Sequence, residues 1–261
     1  MPGRTSVHPV KAGKKAEGVQ VAADPLEQFE IAPIIPIKIG GLDISFTNSS
    51  LWMLISVVLA TGFLTWAMRR RALVPNGWQL VAEVLHQTVA NMIRDNVGSG
   101  GRKYFPFIFT LFMFVLLGNL LGLLPGSFTY TSHIIVTFGM AMFIFIAVTL
   151  IGIFKHGFKF LSLFFPHGAP LWTAVILIPI ELVSYLSRPI SLSVRLFANM
   201  VVGHVLLKVI AGFVIMMGVA GIVPWLALVA ITALELLVAV IQAYVFTILT
   251  CIYLHDSLEL H

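Results

Sequence analysis

The stretch Ser187-Arg188-Pro189-Ile190-Ser191-Leu192-Ser193-Val194-Arg195-Leu196-Phe197-Ala198-Asn199-Met200 decides how this chain is read, because it sets two arginines and an amide in a run otherwise apolar or hydroxylic. Outward from it, Glu181 precedes, His204 and Lys208 follow, and Glu235 stands on a second long apolar stretch, so six ionisable residues fall within fifty-five positions. Near a bilayer centre each charge costs on the order of 2.5–3.5 kcal/mol on insertion scales, which makes an accident of composition a poor explanation. For Arg188, beside a proline break, and for Lys208, two readings stay open: a functional group, or a long side chain whose head reaches an interface. For Arg195 the second reading fails, since it lies seven residues past Arg188 and thirteen before Lys208, far from either helix end.

The solvent around these charges is lipid. The 261 residues are 59% hydrophobic and 10% charged, against roughly 45–50% and about 25% in a soluble domain, which excludes a soluble enzyme. Sixteen Lys and Arg against eleven Asp and Glu give a net charge of +5. The basic residues cluster beside apolar segments, where they orient spans, so the charge carries no implication of nucleic acid. Cys251 is the single cysteine and forms no disulfide framework or thiolate metal site, which leaves it a small buried hydrophobe.

The chain divides into four parts. Residues 1–47 read as a polar, mobile N-terminal tail on the outside, without the apolar core of a secretory signal. Residues 48–103 hold a first transmembrane helix, capped by Asn48-Ser49-Ser50, running from Leu51 to Met68 and closed by Arg69-Arg70-Arg71, and then an amphipathic helix on the membrane surface. In the latter Trp78, Val81, Leu85, Val89 and Met92 fall three or four apart while Glu83, Gln87, Asn91 and Arg94 keep to other faces. Gly98 to Lys103 lack the Gly-Lys-Ser/Thr of a phosphate loop and read as a flexible cytoplasmic loop. Residues 104–160 form a transmembrane hairpin: no Asp, Glu, Lys or Arg occurs from Tyr104 to Phe154, and Pro125-Gly126 with the polar Ser127–Ser132 make a short outside turn. Residues 161–261 form a long helical hairpin turning near Gly218 to Pro224, with Pro179 and Pro189 expected to bend or restart its first arm. Its arms, Pro189–Gly218 and Trp225–His255, would each be about 45 Å long, against a hydrocarbon layer of roughly 30 Å, so strong tilt or a near-horizontal course is expected. The fold class is therefore an all-α integral membrane protein. The positive-inside rule puts the 69–103 and 155–159 connections in the cytoplasm.

Glu181, Arg188 and Arg195 are spaced seven apart and share one helix face, which Asn199 joins one turn later; His204, nine residues from Arg195, points roughly to the opposite side. Glu235 and Gln242, again seven apart, share a face of the second arm. Carboxyl and imidazole groups exchange protons with water, so Glu181, His204 and Glu235 can relay them, or His204 and Glu235 can form a polar pair that locks the hairpin. Arginine stays charged, and in a proton path it is a barrier that forces a passing carboxyl group to ionise. No central carboxylate stands opposite Arg195 in this chain, so its counter-charge is expected from another subunit.

The run Ser187–Met200, with Glu235-Leu236-Leu237-Val238-Ala239-Val240-Ile241-Gln242-Ala243-Tyr244-Val245-Phe246 and Gly118-Asn119-Leu120-Leu121-Gly122-Leu123-Leu124-Pro125, resembles subunit a of the F-type ATP synthase membrane sector. The resemblance implies two offset aqueous half-channels meeting a rotating ring of c subunits, whose membrane carboxylate faces Arg195, the position matching the family's essential arginine. It implies proton-path roles for Asn199, Gln242, Glu181, His204 and Glu235, with Arg188, Ser191 and Lys208 accessory. At His204 many bacterial relatives carry Glu and at Glu235 they carry His, so the pair looks exchanged here. Further implications are b-type peripheral-stalk partners, a bacterial inner membrane or that of an energy-transducing organelle, no cofactor or metal, and no nucleotide bound by this chain.

Two other classes are weighed against it. A self-contained proton-coupled carrier also buries charges at mid-membrane, but the charged half after residue 171 has no counterpart in the half before it. An intramembrane metal hydrolase needs a His-Glu-x-x-His spacing, which the histidines at 86, 133, 156, 167, 204 and 255 never form.

Overall fold

The computed structural model describes residues 31–36, 38–39, 42–43, 45–69, 72, 74, 77–124, 127–157, 160 and 174–259. The tail up to residue 30, Arg70, Arg71, Pro125, Gly126, Lys159 and the start of the last segment lie outside the described residues. Six α-helices carry the rest: α1 (Asn48–Ala67), α2 (Trp78–Asn96), α3 (Phe105–Gly122), α4 (Ile134–His156), α5 (Ala174–Met216) and α6 (Ile222–Leu258). All but α2 are long and apolar enough to cross a membrane, and the chain is a multi-pass, all-α membrane protein.

Where the chain leaves the tail, short strands replace the expected irregular stretch. β1 (Pro33–Ile35) pairs antiparallel with β4 (Phe46–Thr47), and β2 (Lys38–Ile39) with β3 (Leu42–Asp43). The Asn48 N–H then donates to the Ala32 carbonyl at 3.1 Å. The cap of α1 falls one residue earlier than expected, on Thr47, whose hydroxyl accepts from the Ser50 N–H at 3.4 Å. Asn48 instead accepts from the Ser49 N–H at 2.9 Å.

On α2 the buried positions are Gln79, Ala82, Val89, Met92 and Ile93. Of the expected apolar face only Val89 and Met92 are buried; Trp78 and Val81 are exposed, at 60% and 43%. Gln79 turns inward, donating to the Ala72 carbonyl at 3.0 Å and to Glu83 Oε1 at 2.8 Å. Trp78 packs edge-on against Phe63 at 6.2 Å, binding the start of α2 to the end of α1. The glycine-rich connection is also ordered: a 3-10 turn spans Ser99–Tyr104, entered through Gly98 at φ 75°, where a side chain would be strained.

The described part of the connection between α3 and α4 packs against α3. Phe128, Thr129, Tyr130, Thr131 and Ser132 are all buried. Glycines on α3 make the space: a Cβ on Gly118 would collide with Tyr130, and one on Gly122 with Thr129. The Tyr130 hydroxyl donates to the Phe114 carbonyl at 3.1 Å, and burial pushes its pKa up to about 12.

α5 is one continuous 43-residue helix that runs through Pro179 and Pro189 without a restart. At 43 and 37 residues, α5 and α6 are about 64 and 55 Å long, roughly twice the thickness of a hydrocarbon layer of about 30 Å. They reverse through a 3-10 turn at Gly218–Gly221. The core lies where α3, α4, α5 and α6 meet, with Ile108, Val115, Ile144, Leu192, Leu196, Ala243, Phe246 and Leu254 almost wholly buried. Lipid is as apolar as leucine, so close packing and interhelical hydrogen bonds hold such a bundle, each polar bond adding about 0.6 kcal/mol. Three of these bonds fix the long helices: Thr137 to Ser193 at 3.4 Å, Thr149 to Tyr185 at 2.6 Å, and the Asn119 amide donating to the Ala239 carbonyl at 3.3 Å.

Candidate functional site

Arg195 is exposed on α5, in a stripe continued by Asn199, Val202, Leu206, Val209 and Phe213. Alternating steps of four and three residues make this one helix face. Leu237, Ile241 and Tyr244 expose a matching face of α6. Among the described residues no carboxylate lies within ion-pairing distance of Arg195. One turn on, the Asn199 amide donates to Gln242 Oε1 at 2.7 Å, tying the stripe to α6 beside the arginine. In the other direction the exposed face holds Ser191, Ser187 and Ser184, and then the half-buried Glu181.

Toward that end of α5 lies a closed cluster. Arg188 pairs with Asp256 of α6 at 2.9 Å, and its guanidinium sits 5.3 Å from the Tyr185 ring centre and 5.1 Å from that of Tyr253. The pair is about three-quarters buried, with side-chain exposures of 21% and 30%. Arg188 is clamped between two helices by charge and by two aromatic faces. Nearby, Lys155 donates to the Leu258 carbonyl at 2.8 Å, and a ring nitrogen of His156 meets the same oxygen at 3.0 Å. Basic groups at the last carbonyls of α6 satisfy its C-terminus and oppose its dipole. The end of α6 thus lies beside the end of α4.

The second cluster lies at the other end of α4, beside the connection from α3. His204 Nε2 is 3.1 Å from the Thr129 hydroxyl, and Lys208 follows one turn later. Glu235 is 8% exposed, and its carboxyl group lies against Gly203, where a Cβ would collide with it. Neither carboxyl oxygen has a hydrogen-bond partner among the described residues, so Glu235 is not hydrogen-bonded to His204. The reading of the two as a locking pair is therefore set aside. Asn119 and Gln242, both buried, continue the polar line from Glu235 toward Arg195.

The structure thus brings Asn199 and Gln242 together, puts Glu235 next to the residue preceding His204, and separates Arg188 from both. Four participants escaped the sequence reading: Asp256, Thr129, Tyr185 and Tyr253. Asp256 had a signal, being an acid at the end of an apolar run. Thr129 had a fainter one, as part of a hydroxyl-rich patch in a charge-free half. Among the described residues no three His, Cys, Asp or Glu side chains converge as metal ligands would.

Five helices long and apolar enough to cross a membrane, two of them carrying buried or half-buried ionisable groups, define a polytopic membrane protein. The family model described as ATP synthase A chain matches residues 50–255, and the chain belongs to that family. It is 61% identical to ATP synthase subunit a of Paramagnetospirillum magneticum over 246 residues, covering 92% of this chain and 100% of the relative. It is 62% identical to ATP synthase subunit a of Rhodospirillum rubrum over 238 residues, covering 91% and 99%. The same protein of Parvibaculum lavamentivorans is 53% identical over 254 residues, covering 95% and 98%.

Proposed function

We propose that this chain is the proton-conducting stator subunit of a rotary F-type ATP synthase in a bacterial inner membrane. The observation that carries the reading is the exposed Arg195 on an apolar stripe with no carboxylate of the described residues to pair with. A lone guanidinium against lipid is costly, so a partner must bring a carboxylate to it. A ring of c subunits, each with a membrane carboxyl group, meets that need and fits two long helices with exposed apolar faces. b-type peripheral-stalk subunits would hold the chain still.

Protons reach Arg195 from two sides. With Arg69 and Lys155 placed in the cytoplasm by the positive-inside rule, the His204 and Glu235 cluster opens outside and the Glu181 end opens inside. A proton passes along Glu235 and His204 to a ring carboxylate. The neutral carboxyl group travels through lipid, and near Arg195 its ionised form is favoured, so the proton leaves past Ser191, Ser187, Ser184 and Glu181. Arg195 blocks direct passage, because a fixed cation repels hydronium. The chain itself makes no covalent bond, and nucleotide chemistry belongs to other subunits.

Purification from native membranes in mild detergent tests the proposal. The expected outcome is co-purification with a ring of small hairpin subunits and ATP-driven proton pumping by the assembly in vesicles. An isolated chain that carries a solute with protons by itself would overturn it.

A further inference from the structure

The buried connection between α3 and α4 places one hydroxyl at a decisive point. Thr129 Oγ1 lies 3.1 Å from the Gly122 carbonyl and 3.1 Å from His204 Nε2. A hydroxyl has a single proton to donate and two lone pairs to accept with. When Nε2 carries a proton, it donates to Thr129, whose own O–H points to the Gly122 carbonyl. When Nε2 is bare, the O–H turns and donates to the ring.

Accordingly, we propose that Thr129 is a positioning residue for proton transfer through His204, its hydroxyl keeping one bond to the imidazole in both protonation states. This rests on the reading of His204 as a member of the proton path. Neither heavy atom need move between the two states. The site is built to hold still: Thr129 is 5% exposed, its methyl and hydroxyl press on the space a Cβ of Gly122 would take, and its carbonyl accepts from the Ser132 hydroxyl at 2.5 Å. Ionisable groups near His204 include Lys208 on its own helix and Glu235 of α6, which lies against Gly203. Substitutions at Thr129 leave both in place.

The test uses the complete ATP synthase in vesicles, comparing Thr129→Val, Thr129→Ser, His204→Ala and the Val–Ala double variant by ATP-driven pumping across a pH series. Losing one hydrogen bond to the relay is expected to slow pumping about three- to tenfold in Thr129→Val and to shift its pH profile. Thr129→Ser should restore both rate and profile, and the double variant should be no slower than His204→Ala. Thr129→Ala supplies the same hydroxyl-free comparison if the valine variant does not assemble. Wild-type pumping in Thr129→Val, or a serine variant as slow as the valine one, would overturn the proposal while a slow His204→Ala kept the path itself. Wild-type pumping in His204→Ala would instead remove His204 from the path, and the role of Thr129 with it.

Discussion

At Arg188 the charge is answered within the chain, whereas at Glu235 the carboxyl group has neighbours but no hydrogen-bond partner among the described residues. Both clusters join α5 to α6, and they lie at opposite ends of α4, with Arg195 between them along α5. The Arg188–Asp256 pair, clamped by two tyrosines, is suited to hold geometry. A buried carboxyl group without a partner needs a reason, and exchanging protons is one. Polar groups on the two long helices therefore differ in their partners, and the proposed division of scaffold from path rests on that difference.

The largest effect that sharpens this contrast is expected at the open cluster. Glu235→Gln and His204→Ala should each slow proton flux about a hundredfold, the low end of what a positioned acid–base group contributes. The double variant should lose less than the product, as groups in one network do. Strict multiplication of the two losses, measured as vesicle pumping, would separate them. Exchanging the residues, His204→Glu with Glu235→His, should keep more flux than either change alone.

At the closed cluster the expectation is one of stability more than rate. Asp256→Ala strands a largely buried guanidinium and is expected to cost about 1–3 kcal/mol, read as a lower thermal midpoint of the assembled complex. Removing both partners, Arg188→Leu with Asp256→Leu, should cost less than that single change, because no charge is left unpaired. A double variant less stable than Asp256→Ala would break the comparison.

A smaller effect is expected at Glu181, about 21 Å from Arg195 along an ideal helix. Glu181→Asp should keep substantial flux and Glu181→Gln less, since only the first still accepts a proton. A passive leak in Glu181→Gln would make this residue part of the barrier. The smallest effect concerns His133 at the head of α4, whose pKa burial holds below the ordinary 6.5. Above 6.5 the ring is neutral folded and unfolded; as pH falls below it the unfolded chain takes the proton first, so stability declines. His133→Gln should flatten that decline between neutral pH and pH 5, visible as a smaller drop in thermal midpoint than in the wild type.

Much of this was legible in the sequence because lipid makes charge informative. The four long apolar runs after residue 100, the turn at Gly218 and the improbable Arg195 all follow from hydropathy and spacing. What escaped was decided by contact: Asp256 matters because α6 ends beside Arg188, and Thr129 because small glycines on α3 let the connection fold inward. The inward turn of Gln79 on α2 rests on polar partners at Ala72 and Glu83, which periodicity cannot foresee. Of the two outcomes expected at the prolines of α5, a restart does not occur, as an isolated proline signal says where a hydrogen bond is lost and not whether neighbouring packing keeps the helix whole.

The most direct measurement is the passive proton permeability of vesicles holding the Arg195→Ala complex, taken alongside ATP-driven pumping. With the fixed cation as the barrier, coupled pumping is abolished and the passive leak persists or grows, while the detached head still hydrolyses ATP. Arg195→Lys should fail as well, since an ammonium is a compact charge that can lose its proton. Normal coupled pumping in vesicles with verified Arg195→Ala would contradict a barrier at this position.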